Sequence, residues 1–186
     1  MVTQQFEQRT RELIDSLKAI CAAYGLGNDG NEFKIITQVF LYKFLNDKFA
    51  FEAKKIRPDL AKAESWEAAM AAMNPDDREM LQMQMGPDTA RLKPEHFIAH
   101  LFGRQNAPEF AKLFDDTLRD IAVTNNDIFA VKTDGGAKIT LFDRVSEFIT
   151  DTSKRDAFCR AIINKLGDFS FERIFSEKYD FYAALF

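Results

Sequence analysis

The feature that most constrains the fold is a long stretch, residues 31–57, that is apolar on every side of a predicted helix. It contains no glycine or proline, and Asn28 or Asn31 is available to cap its start. As one uninterrupted helix it would be roughly 40 Å long. Nine of the thirteen side chains in residues 33–45 are apolar, and they point almost all round the axis. A helix of this kind must be buried by neighbours on several sides. We therefore predict that it is the central helix of a helical domain.

Composition sets broad limits on the protein class. The 186 residues are enough for one domain with a sizeable core, or for one domain plus an extension. The 19 phenylalanines predict an aromatic-rich core. A net charge of −4 argues against a nucleic-acid-binding protein with a generally basic surface. Residues 31–57 nevertheless carry six Lys and Arg against three Asp and Glu, so a basic stripe on an acidic domain remains open.

Cysteine content and the amino terminus predict the compartment. Cys21 and Cys159 lie in helix-like sequence and form no C-x-x-C motif, as is typical of reduced thiols packed as small hydrophobes. The amino terminus is polar and mixed in charge, unlike a signal peptide. The central apolar run is too short and too often interrupted to span a membrane. We expect a cytoplasmic protein with no membrane partner.

The remaining elements of the predicted fold are mainly α-helical. Apolar periodicity and capping residues predict a helical bundle around residues 31–57, together with one small β-hairpin at about 128–142. Ser65, Asn74 and Ser153 are predicted helix caps, with Pro75 in the first turn after Asn74. The other predicted helices are 3–24, 65–73, 74–85, 95–102, a helix from 106 or 108 to 121, 141–150 and 154–166.

One glycine-rich loop formally matches a nucleotide-binding motif. Gly25, Gly27 and Gly30 have the G-x-G-x-x-G spacing. The dinucleotide fingerprint requires a strand before the glycines and a βαβ unit around them. Here the preceding segment is a predicted helix, so we interpret the loop as the end of that helix and the start of the central one.

Two histidines have a spacing that can hold a metal ion. His96 and His100 are four residues apart, but no glutamate follows His96 as in H-E-x-x-H, and the chain has no further histidine. Surface or interface histidines are the better interpretation. We find no nucleophile with a base at motif spacing. From the residues alone, the chain is a soluble, mainly helical domain with an interaction role.

Two stretches resemble a known family. The run Asn-Glu-Phe-Lys-Ile-Ile-Thr-Gln-Val-Phe-Leu-Tyr-Lys-Phe-Leu-Asn-Asp-Lys-Phe at 31–49 resembles the amino-terminal helical domain of type I restriction-modification methyltransferase subunits. The tail at 169–186, with Phe-Ser-Glu-Lys-Tyr-Asp-Phe at 175–181, looks like the joint at which such subunits enter their catalytic domain. The resemblance predicts an amino-terminal domain at 1–168, and a connection at 169–186 to a methyltransferase domain absent from this chain.

The resemblance implies an activity for the whole subunit rather than for this domain. Such a subunit transfers a methyl group from S-adenosylmethionine to adenine in DNA. Its partners are DNA, a specificity subunit, a restriction subunit and a second methyltransferase subunit. The cofactor-binding and catalytic motifs belong to the next domain, so the resemblance assigns no catalytic, cofactor-binding or metal residue here. It implies a role in closing the complex around DNA and in subunit contacts.

The basic end of the central helix is the predicted DNA contact. Lysine and arginine side chains there could bind phosphates, which position a protein on DNA without reading sequence. They could equally be the solvated ends of buried stems, or cations favoured at a helix C-terminus. A helical protein–protein scaffold unrelated to DNA is the alternative function. The predicted contacts are Lys43, Lys48, Lys54, Lys55 and Arg57.

Overall fold

The computed structural model describes residues 2–27, 30–126 and 142–175, and within these ranges the protein is mainly helical and has no β-strand. The predicted mainly α class is therefore confirmed. Short 3₁₀ turns cover Pro94–His96, Val145–Phe148 and Thr152–Lys154. The α-helices are α1 Val2–Ala23, α2 Gly30–Ile56, α3 Pro58–Lys62, α4 Trp66–Ala72, α5 Pro75–Gln84, α6 Ile98–Gly103, α7 Phe110–Thr124, α8 Arg155–Gly167 and α9 Glu172–Phe175.

Helix α2 is the buried central helix that its composition predicts. Phe40 and Phe44 on one side and Tyr42 and Phe49 on the other side are all buried. Helices α1, α3, α5 and α9 surround it. Only in such a position is most of the surface of an all-round apolar helix removed from contact with water. Each fully buried aromatic side chain stabilises the fold by roughly 1.5–3 kcal/mol.

A second group of helices packs around α8, which contacts α1, α6 and α7. The inward stripe of α1, including Leu13, Leu17 and Cys21, is buried, as are Phe158 and Ile162 of α8. The buried apolar side chains of both groups form one continuous core. The described part of the chain is thus a single packed body.

Several helix starts follow the predicted capping chemistry. The Ser65 hydroxyl accepts a hydrogen bond from the Ala68 N–H at 3.1 Å and begins α4. The Asn74 side chain accepts one from the Asp76 N–H at 2.9 Å and begins α5. These caps satisfy N–H groups that have no partner within the helix.

Two predicted helices and one predicted helix cap differ from the structure. The predicted helix 95–102 is broken at Phe97, whose extended backbone separates a 3₁₀ turn from α6 and lets the side chain pack inward. The predicted helix 141–150 is only the 3₁₀ turn Val145–Phe148, because the Asp115 carboxylate takes the Ser146 N–H. Ser153 does not cap α8; its N–H donates to Asp151 in the preceding turn.

Two further predictions concern the ends of elements. The predicted hairpin at about 128–142 lies outside the described residues except for its last residue, Phe142, which is buried in an irregular segment. Asn31 lies inside α2, which begins at Gly30, so it does not cap the helix; Asn28 lies outside the described residues.

The chain after α8 returns to the core. Phe171 is fully buried and packs against Phe6 and Phe40, with ring centroids 6.0 and 5.6 Å apart. Phe175 packs against Phe44 at 5.5 Å. Residues 169–175 are therefore part of the same packed body as residues before 168.

Candidate nucleic-acid interface

Helix α2 holds its neighbours through polar side chains that accept hydrogen bonds from remote backbone N–H groups. Gln38 accepts from the Asp143 N–H at 2.8 Å. Asn46 accepts from the Ile98 N–H at 3.0 Å, at the start of α6. The backbone groups of a helix interior are already paired within the helix. Side chains are therefore the means by which α2 can give its neighbours a directional contact.

The Asp47 carboxylate contacts three other residues. Its Oδ2 atom accepts a hydrogen bond from the Phe171 N–H at 2.9 Å and forms an ion pair with Lys43 Nζ at 3.2 Å. Its Oδ1 atom accepts from the Asn46 amide at 3.0 Å. The carboxylate thereby joins α2 to the segment that begins at Phe171.

Lys43 lies inside the protein and is not placed to contact a phosphate. The residue is 4% exposed, and its ammonium group is paired with Asp47 one helical turn further along α2. Removing either member of a buried ion pair leaves the other charge uncompensated, which is costly. Of the five predicted contacts, this one has a structural role.

Lys48 and Lys54 contact α9, the last helix of the described residues. Lys48 Nζ lies 5.2 Å from the centroid of the Phe175 ring and forms an ion pair with Glu52 at 3.1 Å. Lys54 Nζ donates to both carboxylate oxygens of Glu172, at 3.1 and 2.9 Å. Both side chains are about three-quarters buried. Two of the five predicted DNA contacts are thus used to bind α9.

Lys55 and Arg57 are the predicted contacts that remain at the surface. The Lys55 side chain is 57% exposed and lies 3.4 Å from Glu52, which also pairs with Lys48. The Arg57 side chain is 42% exposed, and its guanidinium donates two hydrogen bonds to Asp59, both of 2.9 Å. This pairing raises the pKa of Arg57 and lowers the pKa of Asp59.

The charge of this end of α2 is mostly neutralised within the protein. Five cations are matched by four carboxylates, and the excess positive charge lies where Lys48 and Lys55 share Glu52. Exposed ion pairs exchange partners at little cost, about 0–1 kcal/mol. Lys55 is therefore the predicted contact best able to bind a phosphate.

The glycine-rich loop ends α1, as interpreted from the sequence. The Leu26 N–H donates to the Cys21 carbonyl at 2.8 Å, and the Gly25 N–H donates to the Ala22 carbonyl at 3.2 Å. Gly25 has φ +85°. These two bonds around a left-handed glycine are the Schellman helix terminus. The loop uses its glycine for the turn rather than for a phosphate.

His96 is a buried hydrogen-bonding residue. Its Nδ1 atom accepts from the Lys93 N–H at 3.0 Å, so the proton lies on Nε2, which donates to Asp120 at 2.5 Å. Burial lowers the pKa of His96, and Asp120 partly offsets this. The described residues contain no group of three His, Cys, Asp or Glu side chains arranged for a metal ion. Burial also lowers the pKa of His100.

Both cysteines are free and buried, as predicted. Burial raises the pKa of Cys21 to about 11 and the pKa of Cys159 well above its ordinary value. Since the thiolate is the nucleophilic form, both thiols are chemically quiet.

A cleft of about 850 Å³ lies beside α5. Arg78 borders it and donates hydrogen bonds to the carbonyls of Met70, Ala71 and Met73, which end α4. Among the described residues, no histidine, cysteine or serine lines this cleft. It therefore lacks the side chains of a hydrolytic site of the Ser-His or Cys-His kind.

Comparison with protein-family models, curated proteins and solved structures finds no match to this chain. In the part of the chain that the structure describes, no helix is long and apolar enough to cross a membrane.

Proposed function

We propose that this chain is the amino-terminal helical domain of an adenine-specific, S-adenosylmethionine-dependent DNA methyltransferase subunit of a type I restriction-modification system. In this proposal the domain is not catalytic by itself. It contributes to clamping DNA and to contacts with the specificity, restriction and second methyltransferase subunits.

One observation carries the proposal: the two stretches that bear the family resemblance contact each other. Asp47, in the first stretch, accepts the backbone N–H of Phe171 in the second. Lys54 and Glu172 add an ion pair between α2 and α9. In the proposal, residues 169–186 lead to the catalytic domain. A contact that fixes the start of this segment on α2 would restrict the orientation of the catalytic domain relative to this one.

The glycine-rich loop does not fit S-adenosylmethionine, and the proposal assigns the cofactor to another domain. Dinucleotide-type sites place a glycine-rich turn between a strand and a helix. Here the glycine-rich turn follows α1 and is used to end that helix. No methyl-transfer step is assigned to a residue of this chain.

DNA contact is tested by the salt dependence of binding in the complete subunit complex. Each phosphate contact contributes about 0.9 to the slope of log K against log salt concentration on duplex DNA. We expect Lys55→Ala to reduce the magnitude of that slope by about 0.9, the contribution of one phosphate contact. Lys112, an exposed lysine of α7, provides the matched control, and Lys112→Ala is expected to leave the slope unchanged.

Lys54→Ala separates the anchoring role from DNA binding. Because Lys54 is bonded to Glu172, its loss should speed amide hydrogen exchange in residues 172–175, and Glu172→Gln should do the same. An unchanged slope in Lys55→Ala would reject phosphate contact by Lys55, and an unchanged slope in Lys55→Ala/Arg57→Ala would reject it for this end of α2.

The second candidate function is a helical protein–protein scaffold unrelated to DNA. The neutralisation of Lys43, Lys48 and Lys54 by carboxylates of the same chain favours it. If the complete complex bound DNA with no dependence on any exposed cation of this domain, the scaffold would be the better assignment.

A further inference from the structure

The outer face of α5 carries two parallel ridges of side chains with a groove between them. One ridge contains Asp76, Met80 and Gln84, and the other contains Glu79 and Met83. Residues four apart form such rows on a helix surface. The groove has a volume of about 370 Å³. Its centre is apolar and its amino-terminal end is acidic.

The two methionines are unusually exposed for large apolar residues. Met80 is 61% exposed and Met83 is 76% exposed, while Leu81 on the opposite side of α5 is buried in the core. The helix is therefore already docked through its inner face. Met80 and Met83 lie one helical turn apart, so a single partner element can cover both.

The carboxylates beside the methionines lack partners within the described chain. Among the described residues, neither the Asp76 nor the Glu79 carboxylate forms an ion pair or a side-chain hydrogen bond. Arg78, the cation of α5, is turned to the carbonyls that end α4. Asp76 lies in the first turn and also complements the helix dipole, but Glu79 is beyond that turn.

We propose that this face docks an amphipathic helix of a partner protein, with an apolar ridge flanked by lysine or arginine. A helix ridge fits the groove between rows of residues four apart. Methionine adapts to partners of different shape. Asp76 and Glu79 would pair with the partner's cations and set its direction, since charge complementarity orients an interface. The same carboxylates repel phosphate, so this surface is distinct from any DNA contact and does not depend on the proposed function.

The test uses the 186-residue chain and a designed probe. The probe is a helix-forming peptide of about 18 residues with leucines along one face and lysines beside them. The matched peptide replaces each lysine by glutamate. Binding is measured by titration calorimetry at physiological ionic strength. We expect the lysine peptide to bind and the glutamate peptide to bind at least ~10-fold more weakly.

Variants of α5 locate the site. Met80→Ser/Met83→Ser should weaken the lysine peptide ~10-fold or more, while Val123→Ser, at an apolar residue 66% exposed on α7, should have no effect. Asp76→Asn/Glu79→Gln should also weaken it. All four substituted positions on α5 are exposed, so circular dichroism should show an unchanged fold.

A second charge control removes the overall negative charge of the protein as an explanation. Glu7→Gln/Asp15→Asn neutralises two exposed carboxylates of α1 and is expected to leave binding unchanged. Equal weakening by this pair would overturn the proposal, as would equal binding of the two peptides. Sedimentation that shows a dimer of this chain, lost in Met80→Ser/Met83→Ser, would also overturn it by making a second copy the occupant.

Discussion

Asp47→Ala tests how much the contact between α2 and the segment that begins at Phe171 contributes to the free energy of unfolding. The substitution leaves the Lys43 ammonium buried without its ion-pair partner, and breaking a buried pair in this way costs about 3–5 kcal/mol. It also leaves the Phe171 N–H without its acceptor, which costs about 1–3 kcal/mol. The two costs overlap because the side chains share one site. We expect a loss of about 4 kcal/mol in the free energy of unfolding.

The single tryptophan gives a local probe for urea denaturation. Trp66 is buried against Phe97, with ring centroids 4.7 Å apart, so its fluorescence should change when the core opens. A loss of about 4 kcal/mol is a large part of the roughly 5–15 kcal/mol that typically stabilises a domain. Asp47→Asn provides a milder variant, because the amide oxygen can still accept the Phe171 N–H.

Two comparisons sharpen the result. Lys43→Met/Asp47→Asn removes both charges and should cost less than Asp47→Ala, since no unpaired charge stays buried. Glu147→Ala breaks an exposed ion pair with Arg144 and should cost under about 0.5 kcal/mol. The reasoning is refuted if Asp47→Ala lowers the free energy of unfolding by less than about 1 kcal/mol.

Two other predictions follow from single side chains. Burial lowers the pKa of His96, and protonation would set an Nδ1–H against the N–H that now donates to it, so the unfolded chain binds this proton more readily. Stability is therefore expected to fall as the pH drops below the ordinary histidine value of about 6.5, until the lowered folded-state pKa is passed. Two-dimensional ¹H–¹⁵N NMR of the histidine ring should show His96 as the Nε2–H tautomer at neutral pH. An Nδ1–H tautomer would contradict the assignment. Glu109, the residue before α7, has φ +56°, a left-handed backbone conformation that is strained for residues other than glycine. Glu109→Gly should raise the free energy of unfolding by about 0.5–1 kcal/mol, and a clear loss in thermal denaturation would count against this strain.

The fold could be predicted where the physical cause is local. The Ser65 and Asn74 caps and the glycine terminus at Gly25 need only a few neighbouring residues, and each was predicted correctly. The burial of α2 follows from apolar residues on all sides, which no surface helix carries. The break at Phe97 could not be predicted, because it depends on a remote site: Asn46 takes the N–H that starts α6.

The predicted interface shows the same limit for charged residues. A lysine on a helix has the same local sequence whether it faces water or a carboxylate from elsewhere in the fold. Lys54 pairs with Glu172, 118 residues away, and nothing near Lys54 signals this. Lys43 did carry a local signal: Asp47 lies four residues later among apolar neighbours, a spacing that suits a buried ion pair.

The polar side chains of α2 explain how one helix can organise segments that are far apart in sequence. Apolar contact is strong but non-directional, so it does not choose one orientation for an incoming segment. Gln38, Asn46 and Asp47 each accept a specific backbone N–H, which selects both a segment and its register. Once these contacts are made, most of α2 is inaccessible to other molecules. The buried part of α2 therefore serves to organise the fold, and the exposed surface lies elsewhere: on Lys55 at the end of α2 and on the face of α5 formed by Met80, Met83 and two carboxylates.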